Sequence, residues 1–283
     1  MKNIVLIRHG ESLGQTARHR GLSRSDPSLI DCFLTNKGIQ QASQLRSNST
    51  LNQYDFDLIC VSPLSRALST CVLALGHIVG EDCDMEEESL SSYTETDSMM
   101  EEPQKEQSAK QLNRVTPFIA HADICELGDK IPENYGRPVH QVVKDLKGKL
   151  SRRSSQSSVK CLDKIDFSML PPSWPEKDDN ACIDGIEIFL SWLASRPEEN
   201  VAIVCHYNVI KWMLRNTISQ VPNCVPIECV LTDNGYLMLK SEFDSVGKSA
   251  TLDMFGLSCN DKRDTGKESG KKKNEKYLRR QKR

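Results

Sequence analysis

Three short apolar runs dominate the pattern of the chain: residues 3–7 (NIVLI), 57–61 (DLICV) and 201–205 (VAIVC). Each is continuous rather than alternating, as expected of strands buried on both faces of a sheet. Between them the period changes. Ile186, Phe189, Leu190 and Leu193 recur at i, i+3, i+4 and i+7 and predict a helix over 184–195, which Pro197 and the turn Glu198-Glu199-Asn200 end before VAIVC. Thr35 is placed to cap an amphipathic helix over 39–45. Two late runs, 227–231 and 236–239, flank Asp233-Asn234-Gly235 and read as a hairpin. Strands alternating with helices predict an α/β fold: three layers, α/β/α, on a mainly parallel sheet with helices on both faces.

In such sheets ligands collect beyond the carboxyl ends of the strands. The first run ends in Arg8-His9-Gly10, the second in Ser62-Pro63-Leu64-Ser65-Arg66-Ala67, and the third in Val204-Cys205-His206. Two arginines and two histidines therefore converge on one sheet edge. Singly, each has a plain structural reading, as a core histidine or a surface arginine; together they suit a phosphoryl group. Guanidinium groups bind phosphate oxygens in bidentate fashion and stay charged at physiological pH. A neutral imidazole offers a nucleophilic nitrogen, and a second, protonated one stabilises charge on the transferring group. The set lacks a proton donor for the leaving alcohol.

Four ordered motifs, Leu6-Ile7-Arg8-His9-Gly10-Glu11-Ser12, Leu34-Thr35-x-x-Gly38-x-x-Gln41-Ala42, Ser62-Pro63-Leu64-x-Arg66-Ala67-x-x-Thr70 and Val204-x-His206, resemble the histidine phosphatase superfamily, and within it the phosphoglycerate mutase-like branch. The resemblance covers residues 1–75 and 115–240. It implies that His9 is the nucleophile that becomes phosphohistidine, and that Arg8, Arg66 and His206 hold the phosphoryl group. It also implies a glutamate as general acid, for which Ile124-Cys125-Glu126-Leu127-Gly128 supplies Glu126, with Asp123 and Glu133 as the alternative donors. No metal and no cofactor are implied.

This chain departs from the family pattern at two places. Gln15 stands where the family commonly has a phosphate-contacting asparagine, and Tyr207-Asn208 follows the second histidine in place of small residues. Gln15 and Asn208 are candidate substrate contacts. The departures bear on substrate and rate more than on reaction type. The leading expectation is a metal-independent phosphomonoesterase of the histidine acid type, acting on a small phosphorylated substrate or a phosphoprotein. A mutase of the same branch is the second reading, against which the Glu126 loop lacks the Arg-His that mutases carry there. A phosphate-recognition scaffold with weak catalysis is the third, and the intact set of basic groups weighs against it.

Composition adds two segments of opposite sign. Residues 81–106 carry eleven acidic and one basic residue, and residues 262–283 carry eleven basic and three acidic, so the formal net charge of −2 describes neither. The first reads as an acidic insertion over 81–111 without a core-forming pattern, and the second as the end of a basic tail over 246–283; both are expected to be disordered, leaving a phosphatase-like domain over 1–245. A further irregular stretch, LSRRSSQSSVK, reads as a flexible link and kinase target. Nucleic-acid binding would rest on the tail alone. No run is long enough for a membrane span, and residues 4–7 make too short an apolar stretch for a signal peptide. The eleven cysteines are odd in number and lack a Cys-x-x-Cys pair. They read as the reduced thiols of a cytoplasmic or nuclear protein.

Overall fold

The computed structural model describes residues 1–78, 116–128, 131–151, 159–175 and 181–247. The acidic insertion, most of the serine-rich link and the basic tail lie outside the described residues. The chain divides into two units, Met1–Asp244 and Ser245–Arg283, and the elements below belong to the first.

Seven strands form one sheet in the order β4-β3-β2-β5-β1-β6-β7. They are β1 (Lys2–Arg8), β2 (Leu58–Val61), β3 (Phe118–His121), β4 (Asp166–Met169), β5 (Asn200–Cys205), β6 (Ile227–Leu231) and β7 (Leu237–Leu239). The first five run parallel to one another, while β6 pairs antiparallel with β1 and β7 antiparallel with β6. The sheet is thus mainly parallel, as the continuous apolar runs predict, and β6–β7 is the expected hairpin.

Strand alternation explains the three layers. On β1, Val5 and Ile7 point into one apolar cluster with α1 (Asn36–Gln44), α2 (Ser65–Leu75) and α3 (Val139–Leu150). Ile4 and Leu6 point into a second cluster with α4 (Ala181–Ser195) and α5 (Tyr207–Met213). Helices therefore cover both faces, and each central strand is buried throughout except at its ends. Thr35 caps α1 as its sequence position suggests, accepting a hydrogen bond from the Gly38 N–H at 3.0 Å. Every residue of α2 is buried, so no polar face interrupts it and no amphipathic period marks it in the sequence.

Candidate active site

The three central strands end at one level. Arg8 pairs with Cys205, and Ile7 and Val61 both pair with Val204. Just beyond, the His9 N–H donates to the Cys205 carbonyl and the Ser62 N–H to the Val204 carbonyl, both at 3.0 Å. The chain leaves the sheet here because Gly10 permits it: a β-carbon at that residue would lie 2.5 Å from the Gly38 carbonyl oxygen on α1. The Gly10 N–H in turn donates to the Thr70 hydroxyl on α2 at 3.0 Å.

His9 is 3% exposed. Its Nδ1 lies 2.7 Å from the Gly10 carbonyl oxygen, which can only accept, so Nδ1 carries the proton. The Arg66 Nε–H then donates to the lone pair of the unprotonated Nε2 from 3.3 Å. Burial, followed by the charges of Arg66 and Arg8, holds the imidazole pKa well below its ordinary value, and the Gly10 hydrogen bond opposes the shift.

Arg66 sits in the first turn of α2 and is itself buried. Its Nη1 donates to the Glu133 carbonyl and its Nη2 to Asn134 Oδ1 at 2.9 Å. Asn134 passes the constraint on: its Nδ2 donates to the carbonyls of Leu127 and Gly128, each at 3.0 Å. The loop bearing Glu126 is thus hooked to Arg66. Arg8 donates from Nη1 to the Val221 carbonyl at 2.7 Å and lies 5.0 Å from the centroid of the Tyr207 ring. Its Nε is buried and has no hydrogen-bond partner among the described residues.

Glu126 is 9% exposed, and its Oε1 accepts from the Leu127 N–H at 2.9 Å and the Asn208 N–H at 3.2 Å. Burial raises its pKa, and Arg66, the two N–H donors and Arg8 only partly reverse the effect. His206 is fully buried. Its Nε2 lies 2.8 Å from the Ser62 hydroxyl and its ring centroid 5.1 Å from that of His9.

A cleft of about 520 Å³ opens on these groups. Of the residues expected from sequence, Arg8, His9, Gln15, Arg66, Glu126 and Asn208 line it, whereas His206 packs against His9 without lining it. Gln15 accepts from the Ser12 N–H at 3.0 Å and faces Asn223, whose Nδ2 donates to the His9 carbonyl at 2.6 Å. The two alternative donors separate. Glu133 lines the cleft, but its carboxylate is engaged by Arg24. Asp123 does not line it and packs on α4, where a β-carbon on Gly185 would meet its Oδ1 at 2.8 Å. Arg24 and Asn134, which line the cleft, and Asn223, which bonds the His9 carbonyl behind it, are polar residues the sequence did not single out. A larger cleft, of about 640 Å³, lies against α1 and α3 and contains no histidine.

Three guanidinium groups and two carboxyls line the smaller cleft. The guanidinium groups outnumber the carboxyls, so the balance is positive and fits a phosphoryl dianion.

Comparison with known proteins agrees with this class of site. The family model of the histidine phosphatase superfamily (branch 1) matches residues 4–133. The matched segment contains Arg8, His9, Arg66 and Glu126 and ends before His206. A phosphoglycerate mutase-like protein of Arabidopsis thaliana is 26% identical over 227 residues, covering 75% of this chain and 73% of its own. Among solved structures, the alpha-ribazole phosphatase of Shigella flexneri is 21% identical, with 84% of this chain and 94% of that one covered and a TM-score of 0.43. The phosphoserine phosphatase of Entamoeba histolytica, in complex with 3-phosphoglyceric acid, is 19% identical, with 85% and 95% covered and a TM-score of 0.39.

Proposed function

We propose that this protein is a metal-independent phosphomonoesterase working through a phosphohistidine at His9. The observation that carries the reading is the state of His9: a neutral imidazole whose Nε2 lone pair faces Arg66 at the mouth of a basic cleft. His9 Nε2 attacks the phosphorus, and the bond to the substrate alcohol breaks. Glu126, whose pKa is raised by burial, gives its proton to the departing oxygen. Arg8 and Arg66 carry the charge on the phosphoryl oxygens, the task a metal ion performs elsewhere. In the second half, Glu126 takes a proton from water, the water oxygen attacks phosphorus, and the Nε2–P bond breaks. Inorganic phosphate and neutral His9 result. Water as acceptor distinguishes this from the mutase reaction, in which the acceptor is a second alcohol.

The test is covalent trapping. Wild type quenched during turnover of radiolabelled phosphomonoester should carry acid-labile, base-stable label, insensitive to EDTA, and His9→Ala should carry none. Label undiminished on His9→Ala overturns the assignment.

A further inference from the structure

Helix α2 begins without a cap of its own. Leu64 occupies the cap position, and its side chain accepts no hydrogen bond from the helix end. The missing acceptor arrives from elsewhere in the chain. Asp31 Oδ1 accepts from the Ser65 N–H at 2.7 Å, and Asp31 Oδ2 accepts from the Ser65 hydroxyl at 2.5 Å. Asp31 is 1% exposed, and its backbone is in the left-handed region, with φ 43°. A non-glycine residue in that conformation is strained unless its surroundings hold it.

Arg137 holds it. Its Nε donates to Asp31 Oδ2 at 3.1 Å, its Nη2 to the Ser65 hydroxyl at 3.3 Å, and its Nη1 to Asp145 on α3 at 2.7 Å. The residue after Ser65 is Arg66. Its guanidinium is gripped by Glu133 and Asn134, four and three residues before Arg137. Backbone and guanidinium of Arg66 are therefore referred to one segment, the first through Asp31 and Arg137 and the second directly.

We infer that Asp31 is a positioning residue for phosphoryl transfer, a cap supplied from a distance that fixes the first turn of α2 and so sets Arg66 against His9 Nε2. Asp31 itself does not line the cleft. A carboxylate at this helix N-terminus is favoured by the helix dipole and lies outside the phosphate site. The inference rests on the phosphoryl-transfer reading above for its catalytic readout, and on oxyanion binding for an independent one.

The experiment is a double-mutant cycle. Asp31→Asn keeps one acceptor for the Ser65 N–H but loses the charge and turns an amide towards Arg137. It should lower kcat on p-nitrophenyl phosphate by roughly ten- to a hundredfold, the scale of a small misplacement in a site. Its KM should change less, and inorganic phosphate should bind more weakly. Made in an Arg66→Lys background, the same change should cost little further. Additive losses in the double variant would overturn the inference, since a structural role alone does not know which residue stands at position 66. Ser65→Ala, which deletes only the hydroxyl bond, should show a smaller loss in the same direction. It serves in the same cycle if Asp31→Asn does not fold, and no loss on Ser65→Ala would then count against the inference. Wild type that binds phosphate but does not turn over refutes the function above and leaves phosphate affinity to decide the cycle.

Discussion

Arg66 Nε lies 3.3 Å from His9 Nε2, so the guanidinium touches the one ring nitrogen that the Gly10 carbonyl leaves unprotonated. A charged donor at that nitrogen disfavours protonation there and holds the ring in one orientation. When phosphate occupies the cleft, the same guanidinium is placed to bind its oxygens while the lone pair is released towards phosphorus.

Arg66→Lys tests that geometry. Lysine keeps the charge but lacks the fork that reaches His9, Glu133 and Asn134 together. kcat/KM on p-nitrophenyl phosphate should fall by about a hundredfold, in the range seen when one preorganised donor to a developing oxyanion is removed. A loss under threefold would show that charge alone suffices.

The pH dependence follows from two opposed shifts. His9 must be neutral to attack, and its pKa is lowered well below 6.5, so the nucleophile survives into acid. Glu126 must be protonated to donate, and its pKa is raised above 4.5, so the acid form persists upward from there. Activity in the chemical step should therefore be lost on the acid side as His9 gains a proton below its depressed pKa. It should be lost on the alkaline side as Glu126 loses one above its raised pKa. Profiles of kcat/KM for wild type and Glu126→Gln should differ by the alkaline limb, which the glutamine lacks. An alkaline limb unchanged in the variant would assign it to another group, such as the substrate phosphate.

Gly10 and Gly38 offer a stability test apart from the chemistry. A β-carbon on Gly10 would stand 2.5 Å from the Gly38 carbonyl oxygen, and one on Gly38 would stand 2.1 Å from the Glu11 carbonyl oxygen. Both obstacles are backbone, which cannot swing aside as a side-chain tip can. Gly10→Ala should destabilise the fold by about 1–3 kcal/mol, the usual scale of overpacking, and lower the thermal midpoint. An unchanged midpoint would mean that α1 shifts freely.

What the sequence revealed follows from how locally each feature is encoded. β1, β2 and β5 are buried on both faces, so their apolar runs are continuous and the polar residues ending them stand out. The helix bearing Phe189 has a wet face and therefore a period, and it is longer than the period alone marks, starting at Ala181. By contrast α2 is buried on all sides, and β3 and β4 are four residues each, too short to carry a pattern. Glu126 came from family resemblance, since a single carboxylate in a loop has no local signature. The clamp of Glu133 and Asn134 on Arg66 joins residues 67 and 68 positions apart, and Asp31 caps a helix 34 positions away. Such pairs leave no trace in any window of sequence.

Glu126 is the group whose role the chemistry separates most cleanly. An alkoxide is a poor leaving group and needs a proton as it departs, whereas p-nitrophenolate leaves well without one. Glu126→Gln preserves size and an acceptor for the Leu127 and Asn208 N–H groups but has no acidic proton. It should slow phosphorylation of the enzyme by an alkyl phosphate roughly a hundredfold or more, the usual scale of general acid catalysis, and by p-nitrophenyl phosphate far less. Single-turnover measurement is required, because Glu126 also activates water in the second step. That step would cap steady-state turnover alike for both substrates. Equal losses on the two substrates in the single-turnover phase would assign Glu126 a binding role. No loss on either would pass the donor function to Glu133, the other carboxyl on the cleft wall, once its pairing with Arg24 is broken.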